Sequence, residues 1–487
     1  LAVILLAARE PLARLSRRAA LPAGLVVLAL LITGGLYVGV GQPGLMPESF
    51  FVVLESQADT STARDAGDQA ARYTAVYETL TAHALESQAG IRAALDEAGV
   101  DYTPYYLVNG LEVATYNPLL RNRLAAREDV WKVLDSPHTR PLPRWSTAIN
   151  VFALLGPGAQ AELAWGVDAI DAEVVWDAFG VTGEGIVVGI ADSGVEWRHP
   201  ALREQYPGGE GDHEYTWFDP WEGTSEPTDT NGHGTHTTGT VVGQGGIGVA
   251  PSAQWIACRN LGRNLGNPAY YLDCMQFLLA PHPQNGDPFA EGDPARGAHL
   301  TNNSWGCPPE EGCDGETLYI GVEHLRNAGQ MFVVSAGNEG PGCSTVGPPA
   351  TADAAFSVGA VGPGGEVTLF SSRGPVLVDG SGRVKPDVTA PGASVLSSVP
   401  GGGYAALDGT SMAGPHVAGL VALLWSADPT LIGDIDATEA LITGTADYAT
   451  APDLCGGTGS APNNVYGYGL IDADEAVERA LGEDAGE

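Results

Sequence analysis

The spacing of apolar residues changes twice along the chain and divides it into three segments. Residues 21–40 are uncharged and largely apolar, and a run of about 20 such residues can span a bilayer. Arg9, Arg14, Arg17 and Arg18 precede it within a basic flank, 1–20. That asymmetry puts the start of the chain inside and everything after residue 40 outside. The run is expected to be a transmembrane signal-anchor or a signal peptide. The second segment, 48–136, alternates between the two periods. Residues 50–55 read as a strand, and 62–98 carry Tyr73, Val76, Tyr77, Leu80, Ala84, Ile91 and Leu95 at helical spacing. Residues 103–108 and 111–115 flank Asn109-Gly110, a hairpin signal. A short helix over 118–127 and a strand over 130–134 complete a β-α-β-β-α-β order. His83 reads as a helix-surface or packing residue, and with no catalytic constellation this segment points to an interaction role.

Residues 137–164 hold Pro137, Pro141, Pro143, Pro157 and Gly158 and read as a linker and processing region. From 165 to 480 strand-like runs (185–191, 254–258, 299–303, 331–335) interleave with helical runs (233–242, 270–279, 318–327, 411–425). This alternation predicts an α/β fold, a doubly wound, mostly parallel sheet with helices on both faces. A site in such a fold lies beyond the carboxyl ends of the strands. Residues 206–229 and 281–297 are rich in turn formers and read as surface insertions.

Composition narrows the partners. A formal charge of −36 argues against nucleic acid and against an anionic membrane surface. The six cysteines are even in number, with 15 pairings open and no C-x-x-C spacing, which disfavours zinc and thioredoxin-like chemistry. Gly243-Gln-Gly-Gly-Ile-Gly248 fits a dinucleotide fingerprint but follows a helical run, so the strand that motif needs is missing.

Four polar residues stand at strand ends or helix starts. Asp192 ends an apolar run in Ala-Asp-Ser-Gly-Val and either orients a base or makes an Asx-turn. His233 lies in Asn-Gly-His-Gly-Thr-His at the start of a helix. With His236 it is spaced i, i+3, which leaves metal binding open, though H-E-x-x-H is absent. Asn338 follows a strand in Ser-Ala-Gly-Asn-Glu-Gly, where its amide can donate to an oxyanion or make a turn. Ser411 opens an apolar helix in Gly-Thr-Ser-Met-Ala-Gly-Pro-His-Val-Ala-Gly. A serine there is a nucleophile or an N-cap.

Together these motifs, with Asn-Asn-Ser-Trp-Gly (302–306), Phe-Ser-Ser-Arg-Gly-Pro (370–375) and Lys-Pro-Asp-Val-Thr-Ala-Pro-Gly (385–392), resemble the subtilisin-like serine proteases. The order Asp, His, Ser is also theirs. Gly414, Pro462-Asn463-Asn464 and Tyr468-Gly469-Leu470 are most similar to the bacillopeptidase F branch. The resemblance implies a serine endopeptidase in which Asp192 orients His233, His233 deprotonates Ser411, and Asn338 with the Ser411 N–H holds the oxyanion. It implies that Ser304, Trp305 and Gly306 pair with substrate, Trp305 either shaping a specificity pocket or packing in the core. It makes 48–136 an inhibitory propeptide of an autoprocessed zymogen. Protein or peptide substrates, a monomer, and a location outside the cell or at its membrane are expected. No cofactor is needed for the chemistry. Structural calcium is compatible with the family; Asp212, Glu214, Asp219, Glu222, Glu226 and Asp229 offer carboxylates, or simply form a solvated acidic loop.

Overall fold

The computed structural model describes residues 26–29, 49–115, 117–138, 154–155, 163–262, 265–450, 455–456 and 459–482. The basic flank, nearly all of the run 21–40 and most of the linker lie outside the described residues. Among the described residues no helix is long and apolar enough to cross a membrane.

The first unit contains β1 (Ser49–Leu54), α1 (Gln69–Ser87), α2 (Ala89–Ala98), β2 (Tyr102–Tyr105), β3 (Gly110–Val113), α3 (Pro118–Ala125) and β4 (Val130–Ser136). Its antiparallel sheet runs β2-β3-β1-β4, which matches the β-α-β-β-α-β order. Two details differ from the sequence reading. The helical stretch 62–98 is broken at Gln88, whose buried amide donates to Tyr105 O (2.7 Å) and Asn109 Oδ1 (2.8 Å) rather than lying on a helix face. The hairpin does not turn on Asn109-Gly110 alone: Tyr105 pairs with Gly110, leaving 106–109 as a longer loop. That loop is drawn outward because Tyr106, Leu107 and Val108 bury against the second unit.

The second unit contains β5 (Leu154–Leu155), α4 (Trp165–Asp168), α5 (Ala172–Phe179), β6 (Val187–Asp192), β7 (Trp217–Phe218), α6 (His233–Val242), β8 (Gln254–Arg259) and α7 (Pro268–Leu279). It continues with β9 (Leu300–Asn303), α8 (Thr317–Ala328), β10 (Met331–Ser335), β11 (Phe356–Val361), β12 (Val388–Pro391), β13 (Val395–Val399) and β14 (Gly403–Leu407). The last helices are α9 (Thr410–Ala427), α10 (Ile435–Thr445) and α11 (Ala473–Ala480). The main sheet has seven parallel strands in the order β12-β11-β10-β9-β6-β8-β7. Its inner strands are buried and most read as apolar runs, as burial on both faces favours; β9, Leu300-Thr301-Asn302-Asn303, is the polar exception. The insertion 206–229 is not wholly a surface loop. Trp217 pairs with Ala257 as an edge strand and is fully buried.

The chain order reverses at β6, which has β8 on one side and β9 on the other. A crevice opens beyond the carboxyl ends of strands at such a switch point. Helix α9 is buried from Thr410 to Trp425, as befits a helix that is apolar all round. It packs on β9 through β12 and on α6. Pro415 inside it cannot donate to the Ser411 carbonyl one turn back, and Ser304 Oγ donates to that carbonyl instead, at 2.9 Å.

The two units share one apolar cluster, in which Phe51, Tyr73, Tyr106 and Leu107 meet Leu272 and Met275 of α7 and Leu318, Val322 and Leu325 of α8. Gln276 Oε1 accepts from Tyr106 N (2.7 Å) and Leu107 N (3.1 Å). All six cysteines are paired: Cys258 with Cys274, Cys307 with Cys313, and Cys343 with Cys455. The last bridge spans 112 residues, which is why adjacency in sequence left Cys343 open.

Trp425 is fully buried, and its indole N–H donates to Thr438 Oγ1 at 2.8 Å. Trp425→Ala, on a Ser411→Ala background that avoids self-cleavage, is expected to cost about 3–5 kcal/mol, read as a lower urea midpoint. A loss below about 1 kcal/mol contradicts the central role given to α9.

Candidate active site

Asp192 is the last residue of β6 and is 0% exposed. Its Oδ1 accepts from Ser193 N and from His233 Nδ1, both at 2.7 Å, and its Oδ2 accepts from Thr237 Oγ1 at 3.1 Å. His233 opens α6. Gly234 lets the helix come this close: a Cβ there would sit 2.1 Å from Gly194 O and 3.0 Å from Asp192 Cβ. A carboxylate against Nδ1 fixes the proton on that nitrogen, which leaves Nε2 as the basic one. Burial opposes the imidazolium, but the charge and hydrogen bond of Asp192, joined by the charge of Asp229, outweigh it and raise the His233 pKa above 6.5.

Helix α9 presents Ser411 on the other wall. Thr410 N donates to Asn338 Oδ1 at 2.9 Å and Thr410 Oγ1 donates to the same oxygen at 3.0 Å. A backbone N–H can only meet the amide oxygen, so the Asn338 NH2 faces the opposite way. Asn338 lies just beyond the end of β10 and is partly exposed. Ser411 is the second residue of the helix, where the backbone N–H has no intrahelical acceptor. Its Oγ donates to Ser304 O at 3.2 Å. No hydrogen bond joins Ser411 Oγ to His233 among the described residues.

Ser304 follows β9 and is buried; its Oγ accepts from Asn302 Nδ2 at 3.1 Å. Gly306 is exposed. Trp305 is only 4% exposed and stacks on Tyr271 at 4.0 Å, with Phe332 edge-on at 6.2 Å. Its ring packs on Tyr271 and Phe332 in the apolar cluster that the two units share.

His236 does not join His233. Its Nε2 sits 3.0 Å from both Val395 O and Ala405 O, so that nitrogen carries a proton. Burial pushes its pKa down to about 3. The carboxylates of the acidic run are engaged by protein donors. Asp219 accepts from Trp221 N, Glu222 N, Thr224 and Arg259, Glu226 pairs with Arg198, and Glu214 accepts from Gln284 N. Arg259 serves both Asp219 and Glu222, and the described residues hold no cluster of three or more His, Cys, Asp or Glu side chains fit for a metal.

The residue that sequence reasoning misplaced is Asp229. It is 7% exposed and sits behind His233. Its Oδ1 accepts from Ser193 Oγ (3.0 Å), Asn231 N (2.9 Å) and Gly232 N (2.8 Å), and its Oδ2 accepts from Thr235 N and Oγ1 (2.9 and 2.7 Å). Ser193 Oγ in turn accepts from Gly234 N at 2.9 Å. Asp229 thus ties the turn after β6 to the start of α6. Its place four residues before a helix-opening histidine was the available signal, an Asx-type turn.

An Asp–His pair, its carboxylate buried, and a serine at a helix start with an asparagine amide beside it make a set suited to nucleophilic acyl transfer. The subtilase family matches residues 183–469, and this chain belongs to that family of serine peptidases. Bacillopeptidase F of Bacillus subtilis (strain 168) is 35% identical over 88% of the chain, and the chain spans only 30% of that protein's length. Subtilisin BL of Lederbergia lenta is 32% identical over 64% of the chain and 98% of its own length. M-protease of Shouchella clausii (strain KSM-K16) is 32% identical over 64% of the chain and 69% of its own.

Two outcomes are expected. Because the His233 pKa is raised, its imidazolium persists above pH 6.5, and its attraction to Asp192 contributes stability that is complete below pH 6.5 and lost as pH rises through the raised value. Imidazole NMR of a Ser411→Ala chain should show that titration above 6.5 and a downward move in Asp192→Asn; no move would contradict the pairing. Asp229→Ala should lower kcat/KM on the order of 10²-fold by shifting His233, whereas an effect under threefold would make Asp229 structural only.

Proposed function

We propose that this chain is an exported serine endopeptidase made as a self-processed zymogen. The observation that supports the reading is the Asn338–Thr410 pairing, which occupies the Asn338 amide oxygen and leaves its NH2 to serve as a donor beside the start of α9. In the reaction Ser411 Oγ attacks the scissile carbonyl and passes its proton to His233 Nε2. The carbonyl oxygen takes the negative charge and is held by Asn338 Nδ2 and the Ser411 N–H. His233 gives the proton to the leaving amine, and Asp192 stabilises the imidazolium throughout. Water, deprotonated by His233, then releases the acyl group. The backbone at 304–306 pairs with the extended substrate as an added strand.

Residues 48–136 act as the inhibitor of this cleft, a reading supported by the burial of their described residues against α7 and α8. The segment after β4 leads toward the linker 137–164, where the chain cuts itself. The three disulfides favour an oxidising compartment, and the run 21–40 supplies export and, if retained, a membrane anchor. The enzyme is read as a monomer acting on protein or peptide substrates.

A serine-directed phosphonate should label the processed wild type at Ser411 and leave Ser411→Ala unlabelled and unprocessed; a pure Ser411→Ala chain that still cuts between residues 136 and 165 sinks self-maturation. Asn338→Ala should cost on the order of 10²–10³ in kcat. A loss under tenfold means another donor holds the oxyanion.

A further inference from the structure

Beside the catalytic strand end lies an aromatic surface that the reaction does not use. Asn260 N and Leu261 N donate to Asp192 O at 3.0 and 3.2 Å, so the segment after β8 borders the cleft. Trp221 comes from the acidic insertion and lies over that segment, its indole N–H donating to Asn260 O at 2.9 Å. The position is built in. A Cβ at Gly262 would come within 2.6 Å of the Trp221 ring, so only glycine leaves room for it. Asp219 anchors the turn by accepting from Trp221 N and Glu222 N, and Arg259 at the end of β8 pairs with both Asp219 and Glu222. Tyr270 on α7 closes the other side, its ring 4.4 Å from that of Trp221 at an angle of 52°.

One side chain sits between these walls. His138, two residues beyond β4, meets Tyr270 edge-on at 5.2 Å and Trp221 at 6.2 Å. Its Nδ1 pairs with Tyr270 OH at 3.0 Å, while its Nε2 lies near Ser49 Oγ (2.9 Å) and Glu112 Oε1 (3.2 Å). Asn267 Nδ2 donates to Pro137 O at 3.2 Å, so the backbone entering the slot is held as well. Trp221 and Tyr270 both stay partly exposed with His138 in place. A fixed, half-open aromatic pair at the rim of a polypeptide-cutting cleft is a receptor for another aromatic ring.

We propose that Trp221 and Tyr270 form a slot that selects polypeptides carrying an aromatic or histidine side chain on the N-terminal side of the bond to be cut, and that His138 fills it here in the substrate's place. The proposal rests on the reading of Ser411 as the nucleophile and of 137–164 as the region cut during maturation. Because His138 is the second residue of that region, every bond from His138 onward lies on its C-terminal side, and a substrate side chain in the same slot belongs to the acyl half of the peptide.

The test uses the self-processed full-length product on a peptide library, with cleaved bonds read by mass spectrometry. Wild type should enrich Phe, Tyr, Trp or His at one fixed position upstream of the cut. Matched peptides with alanine there should show kcat/KM lower by about tenfold. In Trp221→Ala that ratio should collapse toward one, and Trp221→Phe should restore part of it. If Trp221→Ala does not fold, Tyr270→Leu reads the opposite wall by the same ratio. An unchanged ratio in these variants, or no enrichment in wild type, overturns the proposal and leaves Trp221 as packing for the first unit. Cleavage that persists in Ser411→Ala is a different failure, that of the nucleophile itself.

Discussion

The hydrogen bonds from Thr410 to Asn338 Oδ1 fix the cleft. They join the end of β10 to the first turn of α9, and they decide three things together: where the buried helix starts, which N–H groups it leaves free, and which way the asparagine amide faces. A helix start buried without partners is costly. Here one orphan N–H, that of Thr410, is satisfied by Asn338, and the next, that of Ser411, has no intrahelical acceptor. Pro415 adds to the same end. By withholding its own hydrogen bond it frees the Ser411 carbonyl for Ser304 Oγ, so the strand end at β9 is locked to the same turn.

Opposite this wall, Asp192 and His233 meet because β6 ends where the sheet order reverses and because Gly234 has no side chain to hold α6 away. Asp229 and Ser193 then brace the histidine from behind. The site is a meeting of element ends, each set by backbone packing far larger than the site itself. This is the sense in which the core positions the chemistry: α9 is fully buried, so its first turn has little freedom to wander.

Much of this was legible in the sequence because the relevant residues occupy short glycine-flanked motifs at the ends of apolar runs. Asp192, His233, Asn338 and Ser411 stand out on those grounds, and the alternation of runs announces a parallel sheet. What stayed hidden depends on contacts between distant segments. Asp229 sits in an acidic run and looks solvated until the turn after β6 closes over it. β7 is two residues long, too short for any period to register. The 106–109 loop opens because Gln276, about 170 residues later, takes its N–H groups. Trp305 left a pocket wall and core packing both open in the sequence, and its stacking on Tyr271 is a contact that only the fold reveals. The strands β11 through β14 are short and lie among glycines and prolines, so periodicity alone did not delimit them.

The central claim is that the Asn338 amide and the Ser411 N–H converge on one oxygen. A crystal structure of the phosphonate-labelled enzyme reads this directly. The account predicts a bond from Ser411 Oγ to phosphorus, with the phosphoryl oxygen about 2.7–3.1 Å from both Asn338 Nδ2 and Ser411 N. An adduct on another residue, or a phosphoryl oxygen turned away from Asn338, would contradict it.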